Sequence, residues 1–160
     1  MKSFQLDQCS NHSAFREKCN KEARCIIRRL PPRLRDHDDD VVLLDLLSRD
    51  ACLLTMDFNI VNDNNEHIPD ENPGIIVVKA IPNRATVMAM IIDKFKKHFT
   101  VWNVTDWSKI YLEIDVRAVY ISRLINGDID TGGMTIDFCE TDFEKRLQMA
   151  INRCRGGFIC

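Results

Sequence analysis

Residues 39–57 read DDVVLLDLLSRDACLLTMD, and this stretch holds one helix and one buried strand in the order that a parallel sheet requires. The helix is predicted over residues 41–50, because the acidic run at residues 36–40 precedes an apolar segment and carboxylates favour the N-terminal end of a helix. The apolar run Cys52–Thr55 is typical of a buried strand. Asp57 follows that strand almost directly, so the stretch also places a carboxylate at a strand end.

The segments on either side continue this alternation of strands and helices. Near the C-terminus the pattern predicts a β-hairpin that turns at Val116 and Arg117, and residues 156–160 resemble a tail. The order predicts an α/β fold with a mainly parallel central sheet, helices on both of its faces and a C-terminal β-hairpin. The predicted elements are strands at 3–6, 25–27, 52–55, 75–78, 108–115, 118–124 and 134–138, helices at 14–23, 41–50, 85–99 and 141–153, and a polar loop at 59–72.

The composition is typical of one globular domain. The chain has 160 residues, 45% of them hydrophobic, and a formal net charge of -2, so no overall charge excess points to a nucleic acid or a membrane surface. No run approaches the roughly 18 apolar residues of a membrane span, and the start MKSFQLDQ lacks the apolar core of a signal peptide. Seven cysteines without a C-x-x-C motif are typical of reduced thiols. These features predict a cytoplasmic protein that has no membrane partner.

Three aspartates occupy equivalent positions in this predicted layout. Asp7 follows the first strand, Asp57 follows the third, and Asp39 lies at the start of the helix between them. The carboxyl ends of parallel strands line the crevice in which α/β proteins bind ligands. Converging carboxylates repel one another unless a cation lies between them, and Mg²⁺ or Mn²⁺ suits oxygen ligands. Such an ion activates water for the cleavage of a phosphodiester.

A simpler interpretation of the same aspartates stays open. Aspartate after a strand is a common turn residue, and aspartate before a helix is a common cap. Composition also does not separate Asp39 from Asp38 or Asp40.

An arginine-rich segment beside Pro31 and Pro32 is the predicted phosphate contact, because each such contact releases counterions from a polyanion. The alternative is that these side chains pair with the acidic run at residues 36–40. The arginines of the segment are Arg24, Arg28, Arg29, Arg33 and Arg35.

Several motifs in a fixed order resemble PIN-like domains, the metal-dependent ribonuclease fold of many toxin–antitoxin systems. The similarity is to a small bacterial branch of that family and covers roughly residues 1–125. The motifs are LDQC at 6–9, RLPPRL at 29–34, the stretch from residue 39 to CLLTMD at 52–57, HIPD at 67–70 and NPGIIV at 72–77.

The resemblance implies a PIN-like domain at residues 1–125 and a C-terminal extension at 126–160. It implies an endoribonuclease that hydrolyses RNA with a water activated by Mg²⁺ or Mn²⁺. Its partners would be RNA and an antitoxin protein, and a homodimer is left open. The implied metal ligands are Asp7, Asp39 and Asp57, Thr55 would orient the site as a further catalytic residue, and Arg28, Arg29 and Arg33 would contact the substrate.

Two positions depart from the family pattern. Cys9 stands where members often have asparagine, and Asn59 stands where many carry another acidic residue. Asp63 or Asp70 in the following loop could supply the missing carboxylate. The departures favour the alternative of a catalytically weak or inactive PIN-like module that binds RNA or a protein. A phosphatase or DNA nuclease using the same cluster is a third alternative.

Overall fold

The computed structural model describes residues 3–6, 26–28, 32–34, 52–79 and 107–156. The helices predicted over residues 14–23, 41–50 and 85–99 lie outside these ranges, so they stay predictions. No helix within the described ranges is long and apolar enough to cross a membrane.

Eight described strands form one sheet in the order β2-β1-β3-β4-β5-β6-β7, with β8 pairing on β6. Two α-helices accompany them, and a short 3-10 turn covers Pro32–Leu34. The strands are β1 (Ser3–Leu6), β2 (Ile26–Arg28), β3 (Cys52–Thr55), β4 (Ile75–Val78), β5 (Ile110–Ile114), β6 (Ala118–Ile125), β7 (Asp128–Ile129) and β8 (Met134–Asp137), and the helices are α1 (Ile60–Asp63) and α2 (Phe143–Cys154).

The sheet is parallel in its first half and antiparallel in its second. Strands β2, β1, β3, β4 and β5 pair in parallel, whereas β6 pairs antiparallel with β5, β7 and β8. The prediction of an α/β fold is therefore confirmed. The prediction of a mainly parallel sheet is confirmed in part, because the sheet is parallel from β2 to β5 and the remaining pairs are antiparallel. Strands β5 to β8 follow one another closely in the sequence, and antiparallel neighbours can be joined by short turns without a crossover helix.

The two faces of the sheet pack against different elements, because successive residues of a strand point to opposite faces. Leu54 and Ile76 belong to an apolar cluster that includes α2, while Leu53 and Ile75 belong to a second cluster that includes α1. Every residue of β3 and β4 is buried, which is the pattern of strands covered on both sides.

The C-terminal part of the described chain adds a strand and a helix to this core. Helix α2 buries Phe143, Leu147, Ala150 and Ile151, which recur along one face of the helix and pack in the same cluster as β3 to β6. The strand and helix predicted at 134–138 and 141–153 are confirmed. The domain boundary predicted after residue 125 stays a prediction.

The β-hairpin is also confirmed, and one side chain fixes its turn. The carboxylate Oδ1 of Asp115 accepts hydrogen bonds from the backbone N–H groups of Arg117 and Ala118, at 2.7 and 2.8 Å. Aspartate stabilises turns in this way because its short side chain reaches the backbone two or three residues ahead.

Some predicted bounds differ from the structure. Strand β2 covers Ile26–Arg28, where residues 25–27 were predicted, and β5 covers Ile110–Ile114, where residues 108–115 were predicted. The segment predicted as a polar loop at residues 59–72 contains α1 and a 3-10 turn at Asn65–His67. Ile60, Val61 and Ile68 anchor this segment in the core, because each is at most 3% exposed.

Candidate functional site

The candidate site lies at the carboxyl edge of the sheet, the edge at which the parallel strands β1, β3, β4 and β5 end. Strand β1 lies between β2 and β3, so the strand order reverses at the β1–β3 boundary. Leu6, the last residue of β1, pairs with Leu54, so β1 and β3 end within one residue of the same level at this edge. Adjacent strands are about 4.8 Å apart. In open α/β sheets, ligands bind at this kind of reversal point.

Thr55 is the last residue of β3 and is completely buried. Its hydroxyl Oγ1 accepts a hydrogen bond of 2.9 Å from the backbone N–H of Asp57. The bond satisfies a backbone donor that has left the sheet ladder, and it fixes the direction in which the chain leaves β3.

Asp57 lies half-buried just beyond the end of β3. Its carboxylate Oδ1 accepts a hydrogen bond of 2.9 Å from the backbone N–H of Asn59. An ionised carboxylate offers about four acceptor positions over its two oxygens. The hydrogen bond to Asn59 therefore orients the group while leaving acceptor capacity for a further ligand.

Only one of the three predicted metal ligands lies in a described range. Asp7 and Asp39 fall outside, so their predicted roles stay predictions. The described residues contain no group of three or more His, Cys, Asp or Glu side chains that could hold a metal ion. What the structure adds is the neighbour relation between β1 and β3, because Asp7 directly follows Leu6 in the sequence.

The predicted arginine contacts begin at the same edge. Strand β2 ends at Arg28, which pairs with Gln5 one residue before the end of β1. Arg33 lies in the 3-10 turn Pro32–Leu34 and is exposed. Arg29 lies between these ranges and outside them. The backbone therefore brings Arg28 to the carboxyl edge, two strands from Asp57.

Asp70 is engaged elsewhere. Its carboxylate Oδ2 lies 3.2 Å from the ammonium Nζ of Lys109, which also lies 2.6 Å from Oε1 of Glu71. The hydrogen bonds to Glu71 and Asp70 raise the pKa of Lys109. Lys109 directly precedes β5, so this group lies at the opposite, amino edge of the sheet. Asp70 is therefore a poor substitute for the acidic residue that Asn59 replaces.

Sequence reasoning missed an aromatic side chain at the site. Phe58 directly follows Asp57, and 59% of its surface is exposed. An exposed phenyl ring beside a candidate phosphodiester site offers a flat surface on which a base can stack. Trp107, in contrast, is fully buried and packs in the apolar core, so it offers no such surface.

Sequence reasoning also missed an ion pair at the carboxyl edge. Lys79 follows β4 directly, and its ammonium pairs with the Glu113 carboxylate of β5. Oε1 of Glu113 also accepts a hydrogen bond of 2.7 Å from the hydroxyl of Tyr111, whose ring is buried. No local motif marks these residues, because the pairing of β4 with β5 brings them together.

No family model matches the chain, and no curated protein and no solved structure matches it. The resemblance to PIN-like domains therefore rests on the sequence motifs alone, and the roles that it implies stay predictions.

Proposed function

We propose that this chain is a metal-dependent endoribonuclease of the PIN-like type, which hydrolyses RNA phosphodiesters with a metal-activated water. The observation that carries the proposal is the position of Asp57. Asp57 lies just beyond the end of β3, next to the reversal of strand order. The hydrogen bond from its backbone N–H to Thr55 holds its backbone, and the hydrogen bond from the N–H of Asn59 orients its carboxylate. Ligand-binding carboxylates are expected at that place in an open α/β sheet.

In this proposal Asp7, Asp39 and Asp57 hold the Mg²⁺ or Mn²⁺ ion. The donor set fits such an ion, because hard divalent cations prefer carboxylate oxygens and Asp57 retains acceptor capacity. When bound, the ion lowers the pKa of a water and offsets negative charge that develops on the phosphate. Thr55 acts as a positioning residue, because its hydroxyl holds the backbone of Asp57.

The substrate contacts are proposed around the same edge. Arg28 and Arg33 would meet phosphates, since guanidinium groups match the geometry of phosphate oxygens. Phe58 would stack a base, and sequence-tolerant stacking suits a single-stranded RNA. By the same resemblance, the proposed biological role is that of a toxin with an antitoxin partner, and a homodimer remains part of that proposal.

The test is cleavage of an RNA pool by the purified chain with Mg²⁺ or Mn²⁺, with and without a chelator. We expect metal-dependent cleavage, and we expect Asp57→Asn to lower its rate by about 100-fold, which corresponds to about 2.7 kcal/mol of lost transition-state stabilisation. Asp128→Asn is the matched control, because Asp128 is exposed in β7, at the amino edge of the sheet. Equal rates for both variants would contradict the proposal.

Asn59 favours a second candidate function, a PIN-like module that binds RNA or a protein without cleaving. Asn59 carries an exposed amide at the position where many PIN-like domains carry a carboxylate. Fewer carboxylates hold a second metal ion less tightly. RNA binding without cleavage at any metal concentration would favour the module, whereas cleavage of DNA or small phosphoesters in preference to RNA would point to another hydrolase.

A further inference from the structure

A cleft of about 100 Å³ lies where the end of α2 meets strand β6 and the segment before β8. Two arginines line it, Arg123 from β6 and Arg153 from α2. Asp130 and Cys154 also line it. A cleft of this volume can hold several waters or a small ion.

This cleft is separate from the candidate site around Asp57. Arg123 pairs with Ile110, the first residue of β5, so it lies at the amino edge of the sheet. Asp57 lies beyond the last residue of β3, at the carboxyl edge. The two sites therefore belong to opposite edges, and an inference about the cleft does not depend on ribonuclease activity.

The guanidinium of Arg123 is incompletely satisfied. Its Nε is buried, and within the described part of the chain it has no hydrogen-bond partner. Buried polar atoms are nearly always paired, so an exception calls for a water or an ion that completes it. An acceptor inside the cleft would meet this requirement, because Arg123 lines the cleft.

The charges around the cleft favour an anion. Two arginines line it against one acidic residue, Asp130, whose carboxylate accepts a 3.2 Å hydrogen bond from the N–H of Gly132. The carboxyl end of α2 adds a partial negative charge of about half a unit. The sum remains positive by about half a charge.

Cys154 adds no negative charge to this balance at neutral pH. Burial, with a smaller contribution from the nearby Asp130 carboxylate, raises the pKa of its thiol. A neutral thiol is a weak donor and a poor metal ligand. Recognition in the cleft therefore falls to the two arginines.

We propose that this cleft is a binding site for a phosphate-type oxyanion, held by Arg123 and Arg153. A guanidinium presents two parallel N–H groups to the oxygens of such an anion, and these charge-assisted bonds are about twice as strong as neutral ones. The arginines come from a strand and a helix that pack together, so the site exists only in the folded chain. The ligand is inorganic phosphate or the phosphate group of a small phosphomonoester.

The experiment is a calorimetric titration of the full chain with inorganic phosphate, with ionic strength held constant by sodium chloride. We expect saturable binding with a stoichiometry of one. Arg153→Gln and Arg123→Gln should each weaken it by about tenfold, equivalent to about 1.4 kcal/mol. Arg117→Gln is the matched control, because Arg117 is exposed in the β5–β6 turn at the other edge of the sheet.

Each outcome decides the proposal. Loss of binding in Arg153→Gln with binding retained in Arg117→Gln supports it. The exposed position of Arg153 keeps this comparison informative even if Arg123→Gln fails to fold. Equal weakening in all three variants, or heats that sodium chloride alone reproduces, would overturn it. Adenosine monophosphate distinguishes the two sources of the ligand, since tighter binding than phosphate identifies a phosphomonoester site.

Discussion

The backbone N–H of Asp57 donates a 2.9 Å hydrogen bond to the buried hydroxyl of Thr55. The strand end and the candidate metal ligand are therefore held by one side chain that solvent does not reach. Because the Thr55 hydroxyl is buried, water competes poorly for it, and the fold itself sets the direction of the chain after β3.

Thr55→Val should lower both stability and RNA cleavage. Valine keeps the shape of the side chain but leaves the N–H of Asp57 without its acceptor, at a cost of about 1–3 kcal/mol in the free energy of unfolding. Urea denaturation and the cleavage rate measure the two effects. Thr55→Ser keeps the hydroxyl, so its cleavage rate should stay within a few-fold of the parent. A serine variant as inactive as the valine variant would argue against this hydrogen bond as the positioning contact.

Phe58→Ala should weaken RNA binding without changing stability. The side chain is 59% exposed, so its removal leaves the core intact. Loss of one stacked base costs about 1–3 kcal/mol, which is about 5- to 150-fold in affinity. Binding of a single-stranded RNA measured by fluorescence anisotropy would show the loss, and Phe58→Tyr should restore it. If the Phe58→Ala variant binds RNA as tightly as the parent chain, no base stacks on this ring.

Gly74→Ala should destabilise the protein strongly. Gly74 has a φ of 95°, and a Cβ built there would lie 2.2 Å from the backbone oxygen of Trp107. The clash and the strained backbone together should cost about 3–5 kcal/mol, read from the urea midpoint.

Gly156→Ala is the control for the backbone effect at Gly74. Its φ of 79° is similar, but a Cβ there would have no neighbour within 4 Å among the residues that the structure describes. It should cost only about 1–2 kcal/mol, the penalty for a left-handed conformation. Equal costs for the two alanines would show that the approach of Trp107 contributes nothing.

Tyr111 should make the folded state less stable above about pH 10. Burial, and then the hydrogen bond to Glu113, raise the pKa of its phenol in the folded state. The unfolded chain releases this proton near pH 10 while the folded chain retains it, so stability falls as the pH rises. The slope should be about 1.4 kcal/mol per pH unit from this group. Urea denaturation between pH 8 and 11 measures it.

Tyr111→Phe separates this effect from other titrations. The variant loses the hydroxyl and should therefore lose that part of the slope. A phenylalanine variant with the same dependence on pH would show that other groups are responsible.

Seven of the eight described strands were predicted, because each of them carries a local signal. Strand β7 was missed, because its two residues are too few to show a pattern. Ile75–Val78 follows a Pro-Gly pair and is uniformly apolar, and Ala118–Ile125 alternates between the two faces of the sheet. Helix α1 was missed because its four residues are too few to show a helical period. The antiparallel pairing of β8 on β6 was missed, because it depends on contacts that no local pattern encodes.

Part of the candidate site was also predictable from the sequence, and part was not. Asp57 could be placed from the sequence, since its position after an apolar run is a local property. The acceptor role of Thr55 and the exposure of Phe58 became visible only in three dimensions. The cleft lined by Arg123 and Arg153 could not be predicted, because its arginines lie far apart in the sequence and carry no common motif.

Strand β6 has a consequence for synthesis of the protein on the ribosome. Val119 and Ile121 face the cluster that α2 completes, yet α2 is translated after β6. At about 5–20 residues per second, the residues from the end of β6 to the end of α2 take about 1.5 to 6 seconds to synthesise. During that interval the apolar face of β6 lacks its covering helix. A chaperone that binds extended apolar segments therefore has a window of a few seconds in which to hold the nascent chain before the fold closes.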